Sequence, residues 1–341
     1  MTNYVAFDDV LLMPKFSTIR SREDCEISTT FGTNPICSLS LDLPIISANM
    51  DTITGDRMTT LMSNEGGIGA LHRFCSIEEN VEMLRKNKHC IVSFGAGKKE
   101  LERALTLFDE GAYNFVLDVA HGASKVAVDT YNDFRRNLPK HAYDVHVMVG
   151  NFATYDSIVA FNKNVDVKPD SFKVGIGGGS MCTTRIVTGV GMPTLASVID
   201  CVKTGYPIVA DGGIRNSGDV AKCLAAGAKA VMIGSMLSGT DETPSEVEMY
   251  NDVPHKVYRG SASKESYQVQ GKVASHRTPE GESTYVRCKG TAASVLQTIR
   301  AGLLSSMSYL NAIDLDEFRE NATFINITSN GMAESKAHGK T

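Results

Sequence analysis

A glycine-rich segment around Cys182 is the stretch of this sequence best suited to chemistry. It covers residues 175–191, GIGGGSMCTTRIVTGVG, and follows an apolar run that predicts the end of a buried strand. Glycines let backbone amides and carbonyls approach a ligand or an ion, because no Cβ stands in the way. A thiol on such a loop can attack a substrate carbon if a neighbouring group takes its proton. Cys182 is therefore a candidate nucleophile, and a buried packing thiol is the alternative.

Two shorter motifs predict an anion site. Asp211-Gly212-Gly213 and Gly234-Ser235 both lie at the ends of β-type runs. Gly213, Gly234 and Ser235 can offer backbone amides to a phosphate near a helix N-terminus, and Asp211 can accept hydrogen bonds from ribose hydroxyls. Asp-Gly-Gly alone is equally typical of a simple turn, but its place after a β-type run favours a ligand.

Eight β-type runs alternate with helical patterns and must position these residues. They cover residues 44–47, 67–71, 90–94, 115–118, 145–149, 172–175, 207–210 and 230–234. Alternation predicts a parallel sheet, and eight repeats predict an α/β protein with a (β/α)8 TIM-barrel fold. A doubly wound open sheet is the main alternative. In a barrel, functional residues follow the carboxyl ends of the strands, where both motifs lie.

The length of 341 residues fits one barrel or two ordinary domains, and we predict a single barrel over residues 1–341. Helices are expected at 78–87, 219–228 and 292–310. Ser217 is the expected cap of the second of these and Gly227 its stop. The polar, glycine-interrupted stretch 258–290 predicts a lid or an irregular loop, and residues 326–341 a C-terminal tail.

Composition excludes several classes of protein. The chain is 42% hydrophobic and 21% charged, with a net charge of −5 and no cluster of Lys and Arg, which argues against nucleic-acid and membrane partners. There is no signal-like N-terminus and no apolar run near the ~20 residues of a membrane helix, so a cytoplasmic location is expected. The eight cysteines show neither a Cys-x-x-Cys pair nor zinc-ligand spacing, so disulfides and structural zinc are not expected.

The cysteine segment also resembles a known family. The motif GxGxGSxCTTR at 175–185, followed by TGVGMP at 188–193, is similar to the cysteine loop of the IMP dehydrogenase/GMP reductase family. Similarity extends from FDDVLL at 7–12 to INIT at 325–328. Dehydrogenases of the family commonly carry a regulatory nucleotide-binding insert after the position of Ile77, and this chain has room there for one helix. The resemblance therefore implies a bare catalytic barrel, with 258–290 as its mobile flap.

The resemblance implies a role for each matching residue. Cys182 would be the nucleophile on C2 of a purine nucleotide, with Thr184 and Glu280 as its proton relay. Implied nucleotide contacts are Met50, Ser180, Asp211, Gly213, Gly234, Ser235, Tyr258, Gly260 and Ser261. Implied contacts to the nicotinamide half of a cofactor are Asp118, Asn151 and Gly175. Backbone carbonyls of Gly177, Gly179 and Cys182 would bind K⁺, with Glu334, Ser335 and Lys336 of a neighbouring subunit as further candidates.

Two enzymes of this family are possible, and the flap favours one. A family dehydrogenase hydrolyses its covalent intermediate with a flap Arg-Tyr pair, whereas in this chain Arg277 precedes Thr278 and Arg287 precedes Cys288. This favours a GMP reductase, which converts GMP and NADPH to IMP and ammonia. The alternatives are an IMP dehydrogenase without the regulatory domain, which would use NAD⁺ to form XMP, and an idle barrel that only binds purine nucleotides.

Cofactor preference and assembly are further expectations. Arg20 and Arg22 can pair with the 2′-phosphate of NADPH, or they can be ordinary surface charges. The resemblance implies a homotetramer whose C-terminal tail reaches a neighbour, although Lys336 stands where the dehydrogenases have histidine. Gly178 and Thr194 also depart from the family pattern, which has proline or serine at the first position and glutamine at the second.

Overall fold

A computed structural model of the chain describes residues 4–139, 144–269 and 278–335. Its strands are β1 (Val10–Leu12), β2 (Thr29–Phe31), β3 (Leu39–Leu41), β4 (Ile45–Ser47), β5 (Ile68–Leu71), β6 (Ile91–Phe94), β7 (Asn114–Asp118), β8 (His146–Phe152), β9 (Ser171–Val174), β10 (Ile208–Asp211), β11 (Ala230–Ile233), β12 (Val247–Tyr250), β13 (Val253–Arg259), β14 (Ser283–Arg287) and β15 (Phe324–Asn326). The eight strands β4–β11 are parallel and form a closed barrel in which β11 pairs with β4. Each matches one predicted β-type run, so the barrel prediction is confirmed and the open sheet is excluded.

Helices follow most of the barrel strands and cover the outside of the sheet. They are α1 (Asp56–Asn64), α2 (Ile77–Lys86), α3 (Lys98–Asp109), α4 (Lys125–Asn137), α5 (Tyr155–Lys163), α6 (Thr184–Thr188), α7 (Thr194–Cys201), α8 (Ser217–Ala225), α9 (Lys264–Val269), α10 (Ala292–Tyr309), α11 (Leu315–Asn321) and α12 (Ser329–Glu334). Short 3-10 helices lie at Phe7–Asp9, Arg22–Asp24, Pro35–Cys37 and Val202–Thr204. No helix in the three described ranges is long and apolar enough to cross a membrane.

The predicted cap of α8 is wrong by one residue. Asn216, in an extended conformation, is the N-cap, and its side chain accepts a hydrogen bond from Asp219 N at 2.9 Å. Ser217 is already the first helical residue. Asparagine and serine are comparable caps, so the sequence alone favoured neither position. Gly227 follows the end of the helix with φ +107°, a conformation that suits glycine.

Two apolar clusters stabilise the barrel. The larger one lies between strands and helices and includes Phe94, Phe115 and Phe134, whose rings are in contact. The smaller one fills the barrel interior, and the antiparallel hairpin β2–β3 contributes Phe31, Leu39 and Leu41 to it. The loop of this hairpin is hydrogen-bonded to Asp170, directly before β9. The hairpin therefore closes the barrel at the amino-terminal ends of its strands.

The segments outside the barrel are more regular than their sequence indicates. Strands β12, β13 and β14 form an antiparallel sheet, and the stretch 258–290 contains the end of β13, α9 and β14. An irregular segment is thus not what the described residues show. In the tail, β15 pairs with β1 in antiparallel fashion, and α12 contacts the 3-10 helix Phe7–Asp9. The described part of the tail, up to residue 335, therefore lies against the N-terminal segment of the same chain.

Candidate active site

A cavity of about 400 Å³ opens at the carboxyl ends of the barrel strands. Its walls are the loops after β4, β5, β7, β9, β10 and β11 and the end of β8, together with the flap segments that carry Tyr258 and Glu280. This volume is in the range of small-molecule sites, ~300–1,000 Å³. The cavity includes every residue predicted to contact the nucleotide, the three predicted catalytic residues, and Asp118, Asn151 and Gly175.

The cysteine loop places the thiol beside a hydroxyl. Cys182 Sγ donates to Thr184 Oγ1 at 3.1 Å, and the backbone N of Cys182 donates to Gly179 O at 3.0 Å. Thr184 begins α6, which fixes its side chain relative to the loop. Cys182 is half-buried, so its sulfur faces the cavity and is not enclosed by the core. A nucleophile next to a proton acceptor is the arrangement that covalent catalysis requires.

The flap brings Glu280 to the same loop through backbone hydrogen bonds. Thr183 N donates to Glu280 O at 2.8 Å, and Glu282 N donates to Met181 O at 2.9 Å. Glu280 N in turn donates to Ala262 O at 3.1 Å. These main-chain contacts hold the backbone of Glu280 next to the cysteine loop, and Glu280 lines the cavity.

The phosphate and ribose candidates lie on one side of the cavity. Ser180 Oγ and Tyr258 OH are 3.0 Å apart, which joins the cysteine loop to β13. Burial raises the pKa of Tyr258, which therefore stays a neutral donor and acceptor. Gly234 and Ser235 follow β11, and Asp211 ends the adjacent strand β10. The predicted groups thus meet at neighbouring strand ends.

Two cationic side chains in the cavity wall are not predicted from the sequence. Lys173 lies within β9 with 3% of its side chain exposed, and its Nζ is 2.7 Å from Asp211 Oδ2 and 3.0 Å from Asp118 Oδ1. Arg73, just after β5, donates to the backbone oxygen of Asp118 at 3.3 Å. A lysine between Phe172 and Val174 in a predicted barrel strand was the available signal for the first. The second was visible as the basic residue that follows a predicted strand.

Arg20 and Arg22 stand apart from the other predicted site residues. Their segment is held at the carboxyl-terminal end of α10, where Thr18 N donates to Asn311 Oδ1 at 2.8 Å. Helices of a (β/α)8 barrel run antiparallel to the strands, so this end lies away from the cavity. Neither arginine lines the cavity of its own chain. Their contact with a cofactor phosphate stays a prediction.

The candidate cation site is also only partly described. The carbonyl groups of Gly177, Gly179 and Cys182 belong to one loop, and Gly179 O already accepts a hydrogen bond from Cys182 N. Glu334 ends α12 and Ser335 follows it, and both are exposed, as a ligand donated to another subunit must be. Lys336 and Arg277 lie outside the described residues.

Two glycines of the cysteine loop are required by close packing. A Cβ on Gly175, whose φ is +145°, would lie 1.9 Å from Asp211 O. A Cβ on Gly178 would lie 2.2 Å from Thr194 Oγ1. The second contact shows that Thr194 occupies the space that a side chain at position 178 would need.

We expect Gly175→Ala to lower the free energy of unfolding by about 1–3 kcal/mol from overpacking alone, and to displace Asp211. Gly205→Ala is the matched control, because Gly205 has φ +76° and no atom within 4 Å of a Cβ, so it measures backbone strain without the clash. Urea denaturation of both variants gives the comparison. Equal losses of stability would show that the contact with Asp211 has no effect.

Comparison with known proteins now identifies the class. The profile of the IMP dehydrogenase / GMP reductase domain matches residues 4–338. Inosine-5′-monophosphate dehydrogenase of Cryptosporidium parvum is 33% identical over 98% of this chain and 94% of its own. GMP reductase 2 of mouse is 34% identical over 94% of both chains. A crystal structure of a GMP reductase variant from Trypanosoma brucei in complex with guanosine 5′-monophosphate superposes with a TM-score of 0.89 and 26% identity, covering 100% of this chain and 99% of that one.

The chain belongs to the IMP dehydrogenase/GMP reductase family. The resemblance seen in the cysteine loop is thereby confirmed, and the protein is an oxidoreductase barrel of this family. The similarity does not favour one enzyme over the other, because dehydrogenase and reductase relatives match at 33% and 34% identity.

Proposed function

We propose that the protein is a GMP reductase, which converts GMP, NADPH and two protons to IMP, NADP⁺ and ammonium. The observation that carries the proposal is the composition of the flap. Glu280 lies at the wall of the Cys182 cavity, but neither Arg277 nor Arg287 is followed by the tyrosine of the water-activating pair. The GMP complex of the T. brucei reductase, whose fold this chain shares, supports GMP as the ligand.

In this proposal Cys182 forms a bond to C2 of GMP after its proton passes through the hydroxyl of Thr184, the acceptor of its hydrogen bond, to the Glu280 carboxylate. Glu280 then delivers a proton to the departing ammonia. NADPH supplies the hydride that reduces C2 when it is bound beside the nucleotide. Cys182 leaves C2 as a thiolate, so that IMP is released and the enzyme is regenerated.

The chemistry of the cavity wall fits these ligands. Tyr258 and Ser180, with Gly213, Gly234 and Ser235, form the proposed phosphate subsite, and Asp211 the ribose subsite. Met50, Gly260 and Ser261 are the proposed contacts to the base. On the other side, the carboxylate of Asp118 can accept a hydrogen bond from the carboxamide of a nicotinamide. The K⁺ site and the homotetramer also belong to the proposal.

An IMP dehydrogenase is the second candidate, because the C. parvum dehydrogenase is as similar to this chain as the mouse reductase. It would require Arg277 or another group to activate water. An idle nucleotide-binding barrel is a weaker candidate. A sensor needs phosphate and ribose contacts, but it has no use for a thiol hydrogen-bonded to a hydroxyl.

The test compares both reactions in one preparation. With GMP and NADPH, we expect steady loss of NADPH absorbance and release of ammonia. With IMP and NAD⁺, we expect at most a burst of NADH without continued XMP formation, because the covalent intermediate is not hydrolysed. Steady XMP formation at a rate equal to or above that of the GMP reaction would overturn the proposal. If neither pair reacts, the idle nucleotide-binding barrel is the remaining candidate.

A further inference from the structure

Lys173 joins the two halves of the cavity through one ammonium group. Its Nζ lies 2.7 Å from Asp211 Oδ2 and 3.0 Å from Asp118 Oδ1, and it also donates to Asn151 Oδ1. These three partners come from three different barrel strands, β10, β7 and β8. One buried side chain thus contacts both sides of the cavity.

The charge of Lys173 is stabilised by its partners. Burial on its own lowers the pKa of a lysine, but Asp211 and Asp118 outweigh burial and raise the pKa of Lys173 above its ordinary value. Burial likewise opposes ionisation of Asp118, yet Lys173 and then Arg73 keep the pKa of Asp118 below its ordinary value. The Lys173 ammonium and the Asp118 carboxylate therefore remain ionised together.

The same network decides which carboxylate oxygen of Asp211 is available. Lys173 Nζ and Asn151 Nδ2, at 2.9 Å, both donate to Oδ2. Asn151 Nδ2 also donates to Gly175 O at 2.7 Å, so its amide hydrogens are both used within the protein. Oδ1 of Asp211 accepts no hydrogen bond from the described part of the chain, which leaves it for a ribose hydroxyl.

We propose that Lys173 is a positioning residue that holds Asp211 of the ribose subsite and Asp118 of the nicotinamide subsite in one charge-balanced unit. The inference rests on the proposed function, which assigns those two subsites. It predicts that loss of one side chain, whose ammonium hydrogens are all used by Asp118, Asp211 and Asn151, weakens the binding of both ligands. A residue with a purely structural role in the barrel would lower stability without this paired effect.

The pH dependence of binding provides a second signature. Without the ammonium, two neighbouring carboxylates share a site, so the pKa of one rises toward neutrality. Among the described residues, the other ionisable groups nearby are Arg73, beside Asp118 and paired with Glu100, and Tyr258, whose pKa is raised by burial and by Asp211. Cys182 and Glu280 also line the cavity. All of these groups are the same in the variant and in the wild-type protein at each pH between about 5 and 8. A new titration in that range would therefore come from the carboxylate pair.

The experiment measures the dissociation constants of GMP and of NADPH separately by calorimetry, without turnover, from pH 5.5 to 8. In Lys173→Met we expect both constants at pH 8 to rise at least about tenfold, because removing one partner of a buried charge pair leaves the others uncompensated. GMP binding by the variant should recover as the pH falls, relative to wild type at each pH. Lys173→Arg, which keeps the charge, should restore most of both affinities.

Lys222→Met is the matched control. Lys222 is also a buried lysine, but it lies on α8 and donates to Phe7 O at 2.9 Å, outside the cavity. We expect it to change stability and neither dissociation constant. If Lys173→Met does not fold by circular dichroism, Lys173→Gln repeats the test with a polar side chain.

A folded, neutral Lys173 variant that binds both ligands within about threefold of wild type, with no added pH dependence, would overturn the inference. A variant that loses affinity for only one of the two ligands would also overturn the inference, because the two subsites would then be independent. Wild-type protein that binds neither GMP nor NADPH would instead refute the proposed function, and this inference with it.

Discussion

Cys182→Ala should lower the rate of NADPH oxidation with GMP by more than about 10³-fold and leave GMP binding within a few-fold of wild type. In the proposed mechanism the sulfur forms the bond to C2, whereas the proposed phosphate and ribose contacts are Tyr258, Ser180 and Asp211, which the substitution leaves unchanged. Steady-state absorbance and calorimetry measure the two quantities. Residual turnover above about a tenth of wild type would exclude a covalent mechanism through this residue.

Selective alkylation tests the same residue without a substitution. We expect iodoacetamide to modify Cys182 fastest among the cysteines and GMP to protect it, as followed by peptide mass spectrometry. Burial raises the pKa of Cys90 and of Cys201 to about 12, so these thiols should not react at neutral pH. Cys288, half-buried and outside the cavity, is the control whose labelling GMP should not change. Equal labelling of Cys182 and Cys201 would contradict the assignment.

Glu280→Gln should reduce turnover by roughly 10²–10⁴-fold, the usual contribution of a general acid or base. Glutamine keeps the shape of the side chain, and the contacts of Glu280 with Thr183 and Ala262 are made by the backbone, so GMP affinity should change little. Glu282→Gln is the matched control, because Glu282 is an exposed carboxylate on the same flap that does not line the cavity. A loss below tenfold, or an equal loss in the control, would show that Glu280 is an ordinary surface carboxylate.

The barrel and most of the cavity wall follow from the sequence because each depends on local patterns. Short apolar runs predict strands, and the polar residues after them lie at one end of the barrel. The position of Glu280 does not follow in this way. A carboxylate on a polar loop is typical of solvent-exposed surface, and only the backbone contacts with Thr183 reveal its place in the cavity.

Lys173 could not be assigned from the sequence for a different reason. Its role depends on Asp118 and Asp211, which are far away along the chain and meet only when the barrel closes. Similarly, nothing in the sequence around Arg20 and Arg22 distinguishes a ligand contact from an ordinary surface charge. The flap was expected to be irregular because its polar residues hide the alternation of β14, all but one of whose residues are exposed.

The hairpin β2–β3 has a consequence for how this family's reactions could diverge. Its apolar side chains close the amino-terminal end of the barrel, so the cavity that Cys182 lines opens at the opposite end, where the described flap segments form part of its wall. In the proposed mechanism, the choice between a hydride and a water molecule for the covalent intermediate then depends on the flap, residues 258–290. A new reaction can thus evolve by exchange of that one segment, while the strands that carry the thiol stay unchanged.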